Sequence, residues 1–264
     1  MEIITLNGYV EEINKIHNKC IDEKLWYRGH SSSKYILAPS IFRNPYKGKI
    51  KLYEGIFKND FKARAVPFLD RMPDQELDWM FLMQHYKIPT RLLDWSEDAF
   101  IALLFALKNH DEALGLNAVV WILNPYELNK RAYESIRITG EYTKLIIPNL
   151  MNNNNNSDLQ MLYKWYVEEP MIKINYPLAI LPPKNNKRII AQKGTFTIFP
   201  ILETVEPMEM LDGKDQFLWK IEVKNESVKD VLKELNSLGI NETSLFPELD
   251  SIALEIISQY KGKL

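Results

Sequence analysis

The chain has 264 residues with 33 Lys and Arg against 35 Asp and Glu, a formal net charge of −2. This excludes a generic polyanion binder, whose affinity for phosphate backbones comes from a surplus of cations. At 46% hydrophobic and 11% aromatic residues, the composition excludes a disordered chain and implies a folded core.

The single Cys20 rules out an intrachain disulfide and a thiolate zinc cluster, so a reducing, cytoplasmic setting is expected. The opening MEIITLNGYVEEINKIHNKC has no basic stretch followed by an apolar one, so no secretory signal is expected. The most apolar window, AFIALLFAL at Ala99–Leu107, is far short of the roughly 20 residues of a membrane span and reads as a buried helix.

In chain order, Val10, Ile13, Ile16 and Cys20 recur at helical spacing, which predicts a first helix capped by Asn7. Leu25–His30 then reads as a strand with Arg28 at its end, closed by a turn over Ser31–Ser33. A helix is predicted over Leu52–Leu69, with Phe57, Phe61, Ala65 and Phe68 on one stripe. Another runs from a cap at Asp74 to His85, ahead of Pro89. Thr90–Ser96 leads into a helix over Glu97–Asn109, with Ser96 as its N-cap and Phe100, Leu103, Leu104 and Leu107 as its core stripe. Ala118–Leu123 is a central strand stopped by Asn124-Pro125, and a helix over Tyr126–Ser135 follows. The Asn tract 152–156, inside a loop or insertion around 140–158, is the best internal breakpoint. Beyond it come a helix over Leu159–Val167, strands at Leu178–Leu181, Gly194–Phe199 and Phe217–Val223, a helix over Glu226–Leu238 closed by Gly239, and a last helix over Leu249–Tyr260. Helices lead and strands cluster later, which predicts one α+β domain over residues 1–264, its helix-rich N-terminal part packed on a mixed or antiparallel sheet.

No Gly-rich phosphate loop, HExxH helix, GxSxG elbow or CxxC pair occurs, so common nucleotide-hydrolysing and metalloprotease chemistries drop out. His17 and Cys20 are spaced to share a metal, but no second ligand pair exists and no metal is expected. Lys47, Lys49, Lys51, Lys58, Lys62 and Arg64 form a basic run best explained as solvated helix surface. Polar residues concentrate in two apolar surroundings, WYRGH at Trp26–His30 and QHYKIPTRLLDWS at Gln84–Ser96. Arginines there need a carboxylate, a phosphate or carbonyls; Arg28 with Asp94 and Arg91 with Asp94 are the pairs that would explain them structurally.

Four segments, WYRGHSSSKYILAPSIFR, LMQHYKIPTRLLDWSEDAFIALLFAL, RIIAQKGTFTIF and LFPELDSIA, together resemble the FRG domain family. The family is named for a Phe-Arg-Gly motif whose Phe position is Tyr27 here. The resemblance implies a bacterial protein with a role in toxicity or phage defence. The motif order is also similar to that of ADP-ribosyltransferases, implying a core of that kind. By that similarity the early arginine is Arg28, the serine-led helix is Ser96 with Ala102, Phe105 and Ala106, and the late motif is Gln192-Lys193-Gly194-Thr195-Phe196.

The chemistry so implied splits the nicotinamide–ribose bond of NAD, used as a substrate, and passes ADP-ribose to an unidentified protein or nucleic-acid acceptor. Arg28 would clamp the phosphates, Ser96 would hold the ribose or support Arg28, and Tyr27, Tyr86 or Phe196 would stack on nicotinamide. His30 and His85 are candidate general bases, His85 the better placed. Gly29, Gln84, Thr90, Arg91 and Asp94 complete the candidate binding set. Gln192 carries no charge, so the carboxylate facing the transition state would be Glu168, Glu169, Glu203 or Asp94. The alternative is a non-catalytic nucleotide-sensing or interaction domain using the same residues.

Overall fold

The computed structural model describes residues 1–136, 147–150, 157–169, 174–184 and 187–246, with single positions at 253, 256, 257 and 260. The Asn tract at 152–156 and most of the helix expected over 249–260 lie outside the described residues.

The fold is α+β. Seven strands, β1 (Glu2–Ile3), β2 (Trp26–His30), β3 (Leu92–Ser96), β4 (Ala118–Leu123), β5 (Leu178–Ile180), β6 (Gly194–Ile198) and β7 (Leu218–Val223), form one mixed sheet in the order β1-β7-β4-β2-β3-β6-β5. Only the β1–β7 pair is parallel among them. Helices α1 (Leu6–His17), α4 (Ala99–Leu107) and α8 (Val228–Ser237) bury their apolar residues with Tyr27, Val120, Ile122, Ile221 and Val223 on one face. A second core joins α3 (Glu76–His85), α5 (Pro125–Ser135) and α6 (Ser157–Tyr163) to Leu92, Phe196, Ile198 and Leu178. A third surrounds Trp26, Leu93 and Trp95 beside α2 (Ile50–Ala65).

The two halves of the sheet meet at one point. β2 pairs with β4 along its whole length and β3 likewise with β6, whereas β2 and β3 are paired only at Tyr27 and Ser96 among the described residues. Beyond that pair the strands part.

Gly29 sets how close α4 comes to β2. A Cβ there would sit 2.0 Å from the Ala102 carbonyl oxygen and 2.5 Å from the Ala106 nitrogen, so the helix backbone lies directly on the strand. Small residues at 102 and 106 complete the contact.

Several element ends differ from the sequence expectations. Thr5, not Asn7, caps α1 by accepting from the Gly8 amide. Gln75 opens α3 with a capping box to Asp78, while Asp74 pairs with Arg71. Asp98 caps α4 by accepting from the Phe100 and Ile101 amides, leaving Ser96 as the last residue of strand β3, which was not anticipated. In each case the cap is the residue immediately before the first helical one, from which a side chain reaches the free amides; Asn7 lies inside the first turn, and Asp74 and Ser96 lie too far before it. The Phe57–Phe68 stripe breaks because α2 ends at Ala65, and Phe68 is 86% exposed. The short edge strand β1 and helix α7 (Lys187–Ala191) carry no long periodic pattern and were missed.

Arg91 does not pair with Asp94. Three positions apart on an extended chain, the two point to opposite faces. Arg91 is fully buried, its Nε donating to both carboxylate oxygens of Glu54 at 2.8 and 2.9 Å and its Nη1 to the carbonyls of Tyr166 and Phe199 at 2.8 and 2.6 Å. This ties α2 and the π-helical turn Lys164–Glu168 to the end of β6. The basic run on α2 is largely neutralised, Lys58 and Lys62 by Glu76 and Arg64 by Asp60.

Substituting Gly29→Ala forces a methyl into the α4 backbone and is expected to cost about 3 kcal/mol or more, read as a lower denaturant midpoint in chemical unfolding.

Candidate functional site

The site begins where β2 and β3 part. Arg28 is the third residue of β2, not its end, and its side chain crosses to β3. Nη1 donates to the Asp94 carbonyl at 2.6 Å and lies 3.6 Å from the Asp94 Oδ2 carboxylate oxygen. The register set by Tyr27 and Ser96 would bring Gly29 opposite Asp94 in a continuous ladder; with the strands parted, the guanidinium supplies the donor that this carbonyl lacks. Nε donates to His30 Nε2 at 3.1 Å. Nη2 makes no hydrogen bond among the described residues. Burial lowers the Arg28 pKa and Asp94 raises it, leaving a guanidinium that stays charged.

Asp94 is held from its other side. Its Oδ2 accepts from Gln84 Nε2 at 2.8 Å, Gln84 Oε1 accepts from Thr90 Oγ1 at 2.6 Å, and Thr90 Oγ1 accepts from the Leu92 amide at 3.1 Å. The dense polar block Gln84–Ser96 is thus a chain of hydrogen bonds that aims one carboxylate while its side chain stays 53% exposed.

A cavity of about 420 Å³ opens at this gap. It is lined by Tyr27, Arg28, Gly29, Gln84, His85, Asp94, Ser96, Gln192 and Phe196, so the structure gathers these nine candidates. His30, Thr90 and Arg91 do not line it. Thr90 sits behind Gln84 on a second cavity of about 290 Å³, Arg91 is committed to Glu54, and His30 is buried behind Arg28. Tyr86 is 61% exposed and does not line the cavity either.

His30 is not a base for this cavity. Its Nε2 receives the Arg28 proton donor, and burial followed by the charges of Arg28 and Arg43 pushes its pKa down to about 3. Ser96 and Gln192 act on each other: Ser96 Oγ donates to the Gln192 carbonyl at 2.7 Å and accepts from the Asp98 amide at 3.0 Å. The Gln192 amide donates to the Leu245 carbonyl at 3.2 Å, and Lys193 Nζ meets Asp98 Oδ2 at 2.7 Å. Burial works against the charge of Asp98, but Lys193 and two backbone amides prevail and its pKa is lowered. These contacts latch the turn before β6 to the turn after β3, forming one wall.

Tyr27 bonds through its hydroxyl to His17 Nε2 at 2.6 Å, so the hydroxyl added at the Phe position has a partner. Burial, then Asp98, pushes its pKa up. The pairing uses His17 away from Cys20, which is buried near Asn124; no metal-ligand group of three or more His, Cys, Asp or Glu occurs among the described residues.

Of the four acids considered, only Asp94 lines the cavity. Glu203 accepts from the Ile50 amide at 2.7 Å, and Glu168 and Glu169 line the second cavity. Sequence reasoning missed Phe81 and Arg188 on the cavity wall, and it named Phe105 and Lys87 only as members of the serine-led helix and the polar block. Phe81 was within reach, because it lies three and four residues before Gln84 and His85 on α3 and so shares their face. Arg188 stacks on the Phe246 ring at 4.5 Å, a long-range contact with no local signal.

The architecture is therefore an α+β sheet with a polar cavity at an internal parting of its strands. Residues 23–114 match the model of the FRG domain family, so this segment of the chain is an FRG domain. The match includes β2, α3, β3 and α4, hence Arg28, Gln84, Asp94 and Ser96, and excludes α7 and β6 with Gln192 and Phe196. No curated protein and no solved structure matched the chain. No helix among the described residues is long and apolar enough to cross a membrane.

His30 is neutral when folded and protonates near pH 6.5 when unfolded. Its stabilising effect is therefore present above about pH 6.5 and lost as pH falls toward about 3. NMR of the folded protein should show no His30 titration step between pH 5 and 8, and His30→Gln should flatten the fall of stability below pH 6.5.

Proposed function

We propose that the chain binds NAD in the cavity where β2 and β3 part and transfers ADP-ribose from it to a protein or nucleic-acid acceptor. The observation that carries this reading is the placement of Asp94, the one acidic residue among the cavity-lining side chains described, beside the Arg28 guanidinium. A cation for phosphate and a fixed carboxylate for a developing positive charge are the two electrostatic elements that the reaction needs. Phe81, Phe105 and Phe196 add ring faces to the same wall.

In the reaction proposed, the bond between nicotinamide nitrogen and ribose C1′ breaks, its electron pair leaving with neutral nicotinamide. Positive charge spreads over C1′ and the ring oxygen, opposite the Asp94 carboxylate. The acceptor nucleophile then bonds to C1′ and gives up its proton to a base, for which His85 on the cavity wall is the candidate. By its family resemblance the protein would serve as a toxin or a phage-defence effector.

One observation favours a second reading, a non-catalytic nucleotide-sensing domain. Gln192 stands where the motif order places a late acid or amide, and its side chain is committed to the Leu245 carbonyl.

Asp94→Asn keeps the size of the side chain and a carbonyl oxygen for Gln84. With adenylate-labelled NAD and a cell lysate containing protein and RNA, we expect the variant to stay folded, to keep NAD binding and to lose label transfer about a hundredfold. Equal transfer by both proteins contradicts the role of Asp94. NAD binding without transfer by the wild type selects the sensing reading.

A further inference from the structure

Lys87 stands at the rim of the same cavity on a backbone conformation that ordinarily selects glycine. α3 closes with the Lys87 amide donating to the Gln84 carbonyl at 3.0 Å and the Ile88 amide donating to the Met83 carbonyl at 3.0 Å, with Lys87 at φ 62°. Glycine takes this left-handed closing position freely, whereas a residue with a Cβ gives up stability there. A lysine side chain kept at that cost calls for a use.

Its ammonium group makes no hydrogen bond or ion pair among the described residues, although it lines the cavity. The other left-handed lysine at this site, Lys193 at φ 46°, is matched by Asp98, and Lys58 and Lys62 are matched by Glu76. Arg28 and Lys87 face the cavity beside one lining carboxylate, Asp94, which already meets Arg28. The charge of Lys87 is left over and favours an anionic ligand.

We propose that Lys87 is an anion-binding residue of this cavity and, with Arg28, holds the diphosphate of the ligand. The identity of the nucleotide rests on the NAD reading above; the anion contact is separable from it. A compact, mobile ammonium suits a diphosphate at a solvent-facing rim, while Arg28 is fixed deeper by His30 and the Asp94 carbonyl.

The test compares the wild type with Lys87→Gly and Lys87→Arg by calorimetric titration with ADP-ribose and with inorganic pyrophosphate, and by thermal melting without ligand. Lys87→Gly should melt about 2–4 °C higher once the left-handed strain is relieved. It should also bind both ligands about tenfold more weakly, with the deficit shrinking at high salt. Lys87→Arg should restore binding, which a purely structural role would not produce. Equal affinity of wild type and Lys87→Gly overturns the proposal and leaves the NAD reading standing. Lys87-dependent binding of pyrophosphate without binding of ADP-ribose or NAD keeps the anion site and removes the NAD reading. Binding of none of these ligands by the wild type overturns both.

Discussion

The guanidinium of Arg28 is the constraint from which the site follows. A charged group lodged between two strands must be matched on every side facing protein, because an unpaired one costs several kcal/mol. Here its matches are a strand carbonyl, a carboxylate and a neutral imidazole. Each match fixes something further. The carbonyl bond satisfies β3 where it has left β2, and the imidazole bond requires a deprotonated His30 nitrogen. The carboxylate in turn is aimed by Gln84 and Thr90. Hydrogen bonds to charged groups contribute about 1.5–3 kcal/mol each, so this short chain of contacts is enough to keep open a gap that sheet pairing would otherwise close.

Two other features hold the walls of that gap. Gly29 lets α4 rest on β2, bringing Ala102 and Phe105 to the cavity. The Ser96–Gln192 and Lys193–Asp98 contacts join the end of β3 to the turn before β6. The Phe-Arg-Gly type of motif thus divides its work within three residues. Tyr27 packs in the core and meets Ser96 across the strands, Arg28 enters the gap, and Gly29 admits the helix.

Much of this was legible in the residues. The aromatics of Trp26–His30 and the apolar run Ala118–Leu123 mark their strands, and AFIALLFAL marks α4, because buried elements write their burial into composition. The α+β class followed from the same patterns. The polar block at Gln84–Ser96 was visible as an anomaly, and its joining with Arg28 was expected. The partner assignments within it were only half legible. Arg28 does meet Asp94, but Arg91, just before β3, turns to Glu54, since positions three apart on an extended chain face opposite ways and no sequence pattern linked Arg91 to a helix 37 residues earlier. His30 read as a candidate base because its burial and its arginine neighbour are tertiary facts. The cavity positions of Lys87 and Arg188 escaped notice for the same reason.

A crystal structure grown with ADP-ribose tests the central claim most directly. The expected result is strands still parted beyond Tyr27 and Ser96, the ligand diphosphate within hydrogen-bond distance of the Arg28 guanidinium, and the distal ribose beside Asp94. A ligand seated away from this gap, or a bound state in which Arg28 makes all its hydrogen bonds to protein, would contradict it.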